Sequence, residues 1–290
     1  MPKISVIMSV FNTNNEEVLR LSVQSILSQT FSDFEFIICD DGSTDGTYET
    51  LRDICKYDSR IKIIRNDFNM SAAAARNRCI SMSQGEYIAI MDADDFSASN
   101  RLQVQMDFLE SNKEYDFVGS SAGLFDENGL WGHIRYKDFP ERKDFLFVLP
   151  FVHASVMFRK KSIEKVGGYR VAKETVRTED YDLFMRMYAN GSKGANLKET
   201  LYYVREDKAA IRRRKYRYRI HEALVRFKGF KALKLMPVGI LFVIKPLLVG
   251  IIPSFLLNLL KDKYYKRKKS VNYEKCDDFI SKSIHHHPGL

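Results

Sequence analysis

Tyr87-Ile88-Ala89-Ile90-Met91-Asp92-Ala93-Asp94-Asp95 is the stretch on which the fold turns. Its apolar opening reads as a strand buried on both faces, and three carboxylates follow directly at its end. Open α/β sheets hold their ligands outside the carboxyl ends of their strands. Alternation along an extended chain sends Asp92 and Asp94 to one side, two hard oxygen donors suited to Mg2+ or Mn2+ and to the phosphates such ions carry. The plain alternative is an acidic loop that merely ends a strand.

Upstream, Ile4-Ser5-Val6-Ile7-Met8-Ser9-Val10 predicts a first strand, and Leu19, Val23, Ile26 and Leu27 recur on one face of a helix that ends near Gln29-Thr30. A second strand, Phe34 to Cys39, runs into the polar turn Asp40-Asp41-Gly42-Ser43-Thr44-Asp45-Gly46-Thr47. A helix through about Tyr57, a short strand Ile61 to Ile64, an Ala-rich helix from Ser71 to about Ser83 and the strand before Asp92 complete a βαβαβαβ series. That alternation implies a Rossmann-like, mostly parallel sheet with helices on both faces, and it gathers Phe11, Asp41 and Asp92 to Asp95 at one edge. Later on, strand-like pieces near Asp116 to Val118 and Ser155 to Phe158 flank a stretch suited to substrate loops. Thr178 then caps a helix opened by Glu179-Asp180.

The 290 residues, 45% of them hydrophobic, suffice for one sizeable core, which excludes a disordered or fibrous chain. The four cysteines (Cys39, Cys55, Cys79, Cys276) show no paired spacing and read as reduced thiols. The N-terminus lacks the features of a secretory signal, so the expected location is the cytoplasmic side. The net charge of +9 conceals a division: residues 205 to 269 carry 19 Lys/Arg against 4 Asp/Glu, and the rest of the chain is mildly acidic. Three parts are therefore expected: a catalytic domain over 1–204, a basic and apolar helical segment over 205–270, and a tail over 271–290 that includes His285-His286-His287, read as solvated.

Taken in order, Pro2 to Asn12, Asp40-Asp41-Gly42-Ser43-Thr44-Asp45, Ala74-Ala75-Arg76-Asn77, Gly85 to Ile88 leading into Asp92-Ala93-Asp94-Asp95, and Glu179-Asp180 make residues 3 to 204 resemble a family 2 glycosyltransferase of the GT-A fold. The resemblance implies sugar transfer from a nucleotide-diphosphate sugar donor, commonly a UDP-sugar, with a divalent ion, Mn2+ or Mg2+, neutralising the leaving diphosphate. It implies that Asp94 binds the metal, that Asp92 lies near the ribose and the metal's water shell, and that Asp41 hydrogen-bonds the base. Phe11 stands where an aromatic ring stacks on that base. Asp180 matches the carboxylate that deprotonates the acceptor in an inverting displacement.

Each position has a structural alternative. Asp40 and Asp41 fit a helix cap or an Asx turn, Phe11 fits the core at the sheet edge, and Asp180 fits a helix-dipole role. Arg76 either pairs with the diphosphate or braces Asp92 to Asp95, and His153 either touches a substrate or is inert. Met70-Ser71, Cys79 and Ser99 depart from the family's pattern and leave loop details open. No Q-x-x-R-W motif follows Asp180, which points to addition of one sugar rather than polymerisation. A sugar nucleotidyltransferase and a catalytically silent sugar-binding tether are the rival readings; the first lacks its Gly-rich basic loop after the first strand, and the carboxylate set speaks against the second.

Basic residues around Arg212 to Arg219 lead into the apolar stretch Leu235 to Leu260, closed by Lys261 to Lys269. Apolar residues between Lys/Arg clusters suit an anionic leaflet and do not suit nucleic acid. Lys245, Pro237, Pro246 and Pro253 interrupt the stretch, which favours broken helices lying in the interface over a true span, with a hairpin packed on the catalytic domain as the alternative. Held at a membrane surface, such an enzyme would glycosylate a lipid-linked or cell-surface glycan acceptor, as in bacterial capsule, O-antigen or exopolysaccharide assembly. Nothing in the sequence fixes an oligomeric state.

Overall fold

The computed structural model describes residues 1–127, 129–206 and 216–251. Expectations placed on Arg212 to Arg214, on the far end of the apolar stretch, on Cys276 and on the histidine tail lie outside the described residues. The first half is built as the alternation requires: β1 (Ile4–Val10), α1 (Glu16–Leu27), β2 (Phe34–Asp40), α2 (Thr47–Cys55), β3 (Ile61–Arg65), α3 (Ala72–Met82) and β4 (Tyr87–Asp92). β3, β2, β1 and β4 lie side by side, all parallel.

The period of two along the strands decides which core each side chain joins. Ile4, Val6, Met8 and Val10 face a core closed by Leu19, Val23 and Ile26 of α1, Leu51 and Ile54 of α2, and Leu102 and Leu109 of α4 (Arg101–Ser111). Ile7 faces the opposite core, with Ile37, Ile88 and Ile90, beneath Ala75, Cys79 and Ile80 of α3. Both faces are covered, which is why these strands read as near-continuous apolar runs. Register then sets the site. Val10 pairs with Asp40 and Ser9 with Asp92, so the carboxyl ends of β1, β2 and β4 finish level and release Phe11, Asp41 and Asp92 at one edge.

Beyond β4 the sheet becomes mixed, with antiparallel partners added to the parallel half. The further strands are β5 (Phe96–Ser97), β6 (Phe117–Asp126), β7 (Gly129–Ile134), β8 (Met157–Arg159) and β9 (Gly194–Arg205), in the sheet order β3-β2-β1-β4-β8-β6-β9-β5 with β7 on β6. β8 runs antiparallel to both β4 and β6, while β6 and β9 are parallel. The strand expected from Ser155 begins at Met157, because His153 to Ser155 form a 3-10 turn in which Ser155 Oγ donates back to the Val152 carbonyl at 2.8 Å. α5 (Lys160–Lys165) and α6 (Glu179–Ala189) cover this half. Thr178 holds the N-cap position of α6, but its hydroxyl points backward to the carbonyls of Glu174 and Thr175 at 3.3 Å each and leaves the helix N–H groups alone.

Two more helices, α7 (Tyr216–Ala232) and α8 (Gly239–Ile251), form a hairpin, and α7 packs on the catalytic body. Val225, Phe230 and Leu233 are buried in the same core as α6. Gly229 makes the close approach possible, because a Cβ there would collide with Met185. The buried Arg226 guanidinium donates to the Leu146 carbonyl at 3.1 Å and lies 5.0 Å from the Tyr181 ring centre, and Lys228 pairs with Glu174 at 2.8 Å. The packed-hairpin alternative thus describes the inner face. The outer face is different: Ile240, Leu241, Ile244 and Leu248 of α8 are exposed, beside exposed Phe147 and Val148. No helix among the described residues is long and apolar enough to cross a membrane.

Candidate active site

Asp92 closes β4, and the chain turns at once, with the Asp95 N–H reaching back to the Asp92 carbonyl at 3.4 Å. The alternation expected for Asp92 and Asp94 fails here because the backbone is no longer extended. Asp92 points to Arg76, whose Nη2 donates to its Oδ1 at 2.8 Å, and Asp94 is exposed. Asp95 goes inward, accepting the Arg205 N–H at 2.9 Å. Burial, and next the charges of Asp94 and Asp92, hold the Asp95 carboxyl well above the usual carboxylate range. Burial works against charge on Asp92 too, but the Arg76 guanidinium outweighs it and holds that carboxyl low. The Arg76–Asp92 ion pair therefore relieves part of the repulsion within the acidic turn.

Asp41 follows β2 and is 2% exposed. Its Oδ1 accepts from Asn66 Nδ2 at 2.6 Å and from the Met70 N–H at 2.9 Å, and its Oδ2 accepts the Ser71 N–H at 2.9 Å. It caps no helix; it clamps the loop that enters α3. Gly42 permits this clamp: its φ of +73° suits glycine, and a Cβ would stand 2.5 Å from the Phe68 carbonyl carbon. Asp40 takes the structural role instead, accepting the Ser43 N–H at 3.3 Å in an Asx turn and pairing with Arg65 at 3.1 Å.

Phe11 is no core residue, being 44% exposed. It lines a cavity of about 460 Å3 together with Asp41, Ser71, Ala72, Ala73, Arg177, Glu179 and Tyr218. A larger hollow of about 880 Å3 runs along α2 and the edge strand β3, but none of the candidate residues lines it.

Arg76 joins the acidic turn to the cavity. It is 8% exposed, reaches Asp92 with one nitrogen and Glu179 with the other at 3.4 Å, and lies 5.7 Å from the Tyr169 ring centre. Within the chain its contacts are the bracing ones, to Asp92 and Glu179. Asp180, half-buried beside Glu179, accepts the Tyr181 N–H at 2.7 Å. Burial, and secondarily the charge of Glu179, push its carboxyl up to about 7. A carboxyl tuned in this way is a proton acceptor matched to neutral pH. His153 Nε2 meets the Tyr169 hydroxyl at 2.7 Å, and burial followed by the nearby Arg76 charge presses its pKa down to about 3. It is neutral at physiological pH.

Among the described residues, no three His, Cys, Asp or Glu side chains converge as a ligand set for a metal ion. Asp92 and Asp94 offer two carboxylates on one turn. That fits Mg2+ or Mn2+ completed by substrate phosphates and water, the usual arrangement for such ions, and does not fit an all-protein cage.

Sequence reasoning overlooked Asn66, Tyr169, Arg177 and Tyr218. Asn66 and Tyr169 carry no local motif, and Tyr218 arrives from a helix that the sequence assigned to the membrane. Arg177 is adjacent to the Thr178-Glu179-Asp180 signal and was open to notice on that ground.

A mixed sheet whose parallel half ends level, with an acidic turn and a clamped Asp at that edge, is a GT-A arrangement. The chain belongs to the family 2 glycosyltransferases: the family profile described as Glycosyl transferase family 2 matches residues 5–167, and that of Glycosyl transferase family group 2 matches residues 87–261. It is 38% identical over 268 residues to EpsE of Bacillus subtilis (strain 168), a protein named as a glycosyltransferase, covering 92% of this chain and 94% of that one. It is 26% identical over 245 residues, 80% of this chain and 89% of the other, to the Escherichia coli UDP-Glc:alpha-D-GlcNAc-diphosphoundecaprenol beta-1,3-glucosyltransferase WfaP. Among solved structures, that of S. aureus TarS 1-349 in complex with UDP-GlcNAc matches with a TM-score of 0.63 at 18% identity, over 84% of this chain and 70% of that one, a likeness of fold.

Proposed function

We propose that this glycosyltransferase is an inverting enzyme that moves one sugar from a UDP-sugar to a lipid-linked glycan acceptor in bacterial surface-polysaccharide assembly. The observation that carries the reading is the level finish of β1, β2 and β4, which sets Phe11, Asp41 and Asp92 at one edge next to a carboxyl held at about 7 on Asp180. In this reading Phe11 stacks on the base and Asp41, already fixed by its loop, borders the base pocket. Asp180 takes the proton of the acceptor hydroxyl as its oxygen bonds to C1 of the sugar, while the C1–O bond to the diphosphate breaks on the opposite face. Asp94 and Asp92 would hold Mn2+ or Mg2+, which when bound supplies charge neutralisation for the departing diphosphate. Arg76 keeps Asp92 ionised and oriented and ties it to Glu179 in front of the base.

The acceptor class is supported by the activity for which WfaP is named and by the chain's own apolar surface. The exposed α8 face and Phe147 would rest in the cytoplasmic leaflet of the cell membrane, with the basic residues of α7 nearby, making the protein peripheral or monotopic. The three-part division at 205 and 270 remains the proposed organisation, with α7 joined to the catalytic body. The test is calorimetric titration with UDP, with and without Mn2+, followed by a panel of UDP-sugars offered with GlcNAc-diphosphoundecaprenol. Mn2+-dependent UDP binding and transfer of a single sugar are expected. Binding with no transfer to any lipid-linked acceptor would overturn the acceptor assignment, and the absence of nucleotide binding would overturn the whole reading.

A further inference from the structure

Arg177 stands in a left-handed backbone conformation, φ +67°, where a non-glycine residue is strained. The strain is imposed from both sides. Thr175, 1% exposed, donates its hydroxyl to the carbonyls of Arg170 and Ala172 and accepts the Ala172 N–H, and the Thr178 N–H reaches the Thr175 carbonyl at 2.8 Å. The loop is thus locked so that Arg177 lines the cavity shared by Phe11, Asp41 and Glu179. Its guanidinium lies 5.2 Å from the ring centre of Tyr218, which lines the same cavity from α7. Arg177 is the only basic side chain among the described residues of that lining, whose charged members otherwise are the carboxylates Asp41 and Glu179. Among the described residues it forms no ion pair with a carboxylate. A planar cation held over an aromatic ring and facing a cavity with acidic neighbours is arranged for an anion brought in by a ligand.

We infer that Arg177, backed by Tyr218, is a donor-binding residue that grips the diphosphate of the nucleotide, so that the C-terminal hairpin supplies one wall of the donor site. This rests on the reading of the cavity as the nucleotide site. It assigns to α7 a part in binding donor, separate from any part in holding the protein at a membrane. The pair also accounts for the strain: Arg177 is fixed in place before the donor arrives, which removes the ordering cost a free arginine would carry on binding.

The test compares UDP with uridine, which carries the same base and ribose and no phosphate, by calorimetric titration in the presence of Mn2+ on the full chain. Arg177→Ala should weaken UDP roughly tenfold or more and leave uridine unchanged, as expected for one charge-assisted contact to phosphate. Arg177→Lys should recover part of the loss, and Tyr218→Ala should weaken UDP by a smaller factor in the same direction. Equal losses for UDP and uridine would mark Arg177 as structural and overturn the inference, and so would an unchanged UDP affinity in Arg177→Ala while the unsubstituted protein binds UDP. Absence of UDP binding by the unsubstituted protein would instead overturn the nucleotide-site reading, and the inference with it.

Discussion

Asp180→Asn separates the proton-accepting role from the packing role, because the amide oxygen can still accept the Tyr181 N–H that Asp180 receives at 2.7 Å. Burial and Glu179 hold the wild-type carboxyl at about 7 against an ordinary 3.8, a gap of about three pH units that corresponds to about 4 kcal/mol. The folded-state pKa lies above the unfolded one. The stability this group contributes is therefore complete below about pH 4 and is lost as pH climbs through 7. Asn bears no charge at any of these pH values. The variant should match wild type near pH 4 and exceed it by about 2 to 4 kcal/mol at pH 8, the lower figure allowing for water reaching a half-buried group. Urea unfolding at pH 4, 6, 7 and 8 measures the difference. In the same preparations, sugar transfer should fall by about 100-fold or more, and the rise of kcat/KM with pH through about 7 should vanish. Stability curves for variant and wild type that stay parallel from pH 4 to 8 would refute the tuned carboxyl, and retained turnover would refute its role as the base.

Three further outcomes follow from the geometry. Gly42→Ala places a Cβ 2.5 Å from Phe68 and should loosen the Asp41 clamp, costing about 1 to 3 kcal/mol in urea unfolding and weakening UDP; unchanged values in both would show that the loop is not tightly held. Arg76→Met leaves the Asp92 and Glu179 carboxylates without their cation and should destabilise the fold by about 3 kcal/mol, with most of the loss recovered in a variant that also carries Asp92→Asn; no recovery would separate the two residues energetically. Leu241→Asp with Leu248→Asp, at side chains 70% and 61% exposed, should leave the unfolding midpoint nearly unchanged yet abolish flotation with vesicles rich in anionic lipid; persistent flotation would remove α8 from the membrane contact.

The first half of the fold was legible because β1, β2 and β4 are apolar on both faces and α1 carries an apolar stripe, so Ile7 and Met8 already declare two opposite cores. The second half was not, since the long strands β6 and β9 contain Ser120, Ser121, Asn196 and Lys198, which break the apolar pattern while pairing through the backbone. Asp41, Asp92 and Asp180 stood out because they follow strands or open a helix. Their behaviour did not: whether a carboxyl is clamped or ion-paired depends on Asn66 and Arg76, which come from other elements, and the rise at Asp180 depends first on burial, which the packed fold imposes. The turn after β4, not strand alternation, sets how Asp92 and Asp94 stand to one another.

The contact between Gly229 and Met185 bears on how such chains can be recombined. A hybrid joined at residue 205, with the catalytic part of one relative and the hairpin of another, meets a seam where α6 and α7 touch almost backbone to side chain. A Cβ at position 229 would force the Met185 thioether aside, and the cluster of Val225, Phe230 and Leu233 must fit a foreign α6. Exchange of the hairpin is therefore expected to carry the outward face of α6 with it. Hybrids that swap α6 through α8 together should melt cooperatively near the parental temperature, and those cut at 205 should melt lower.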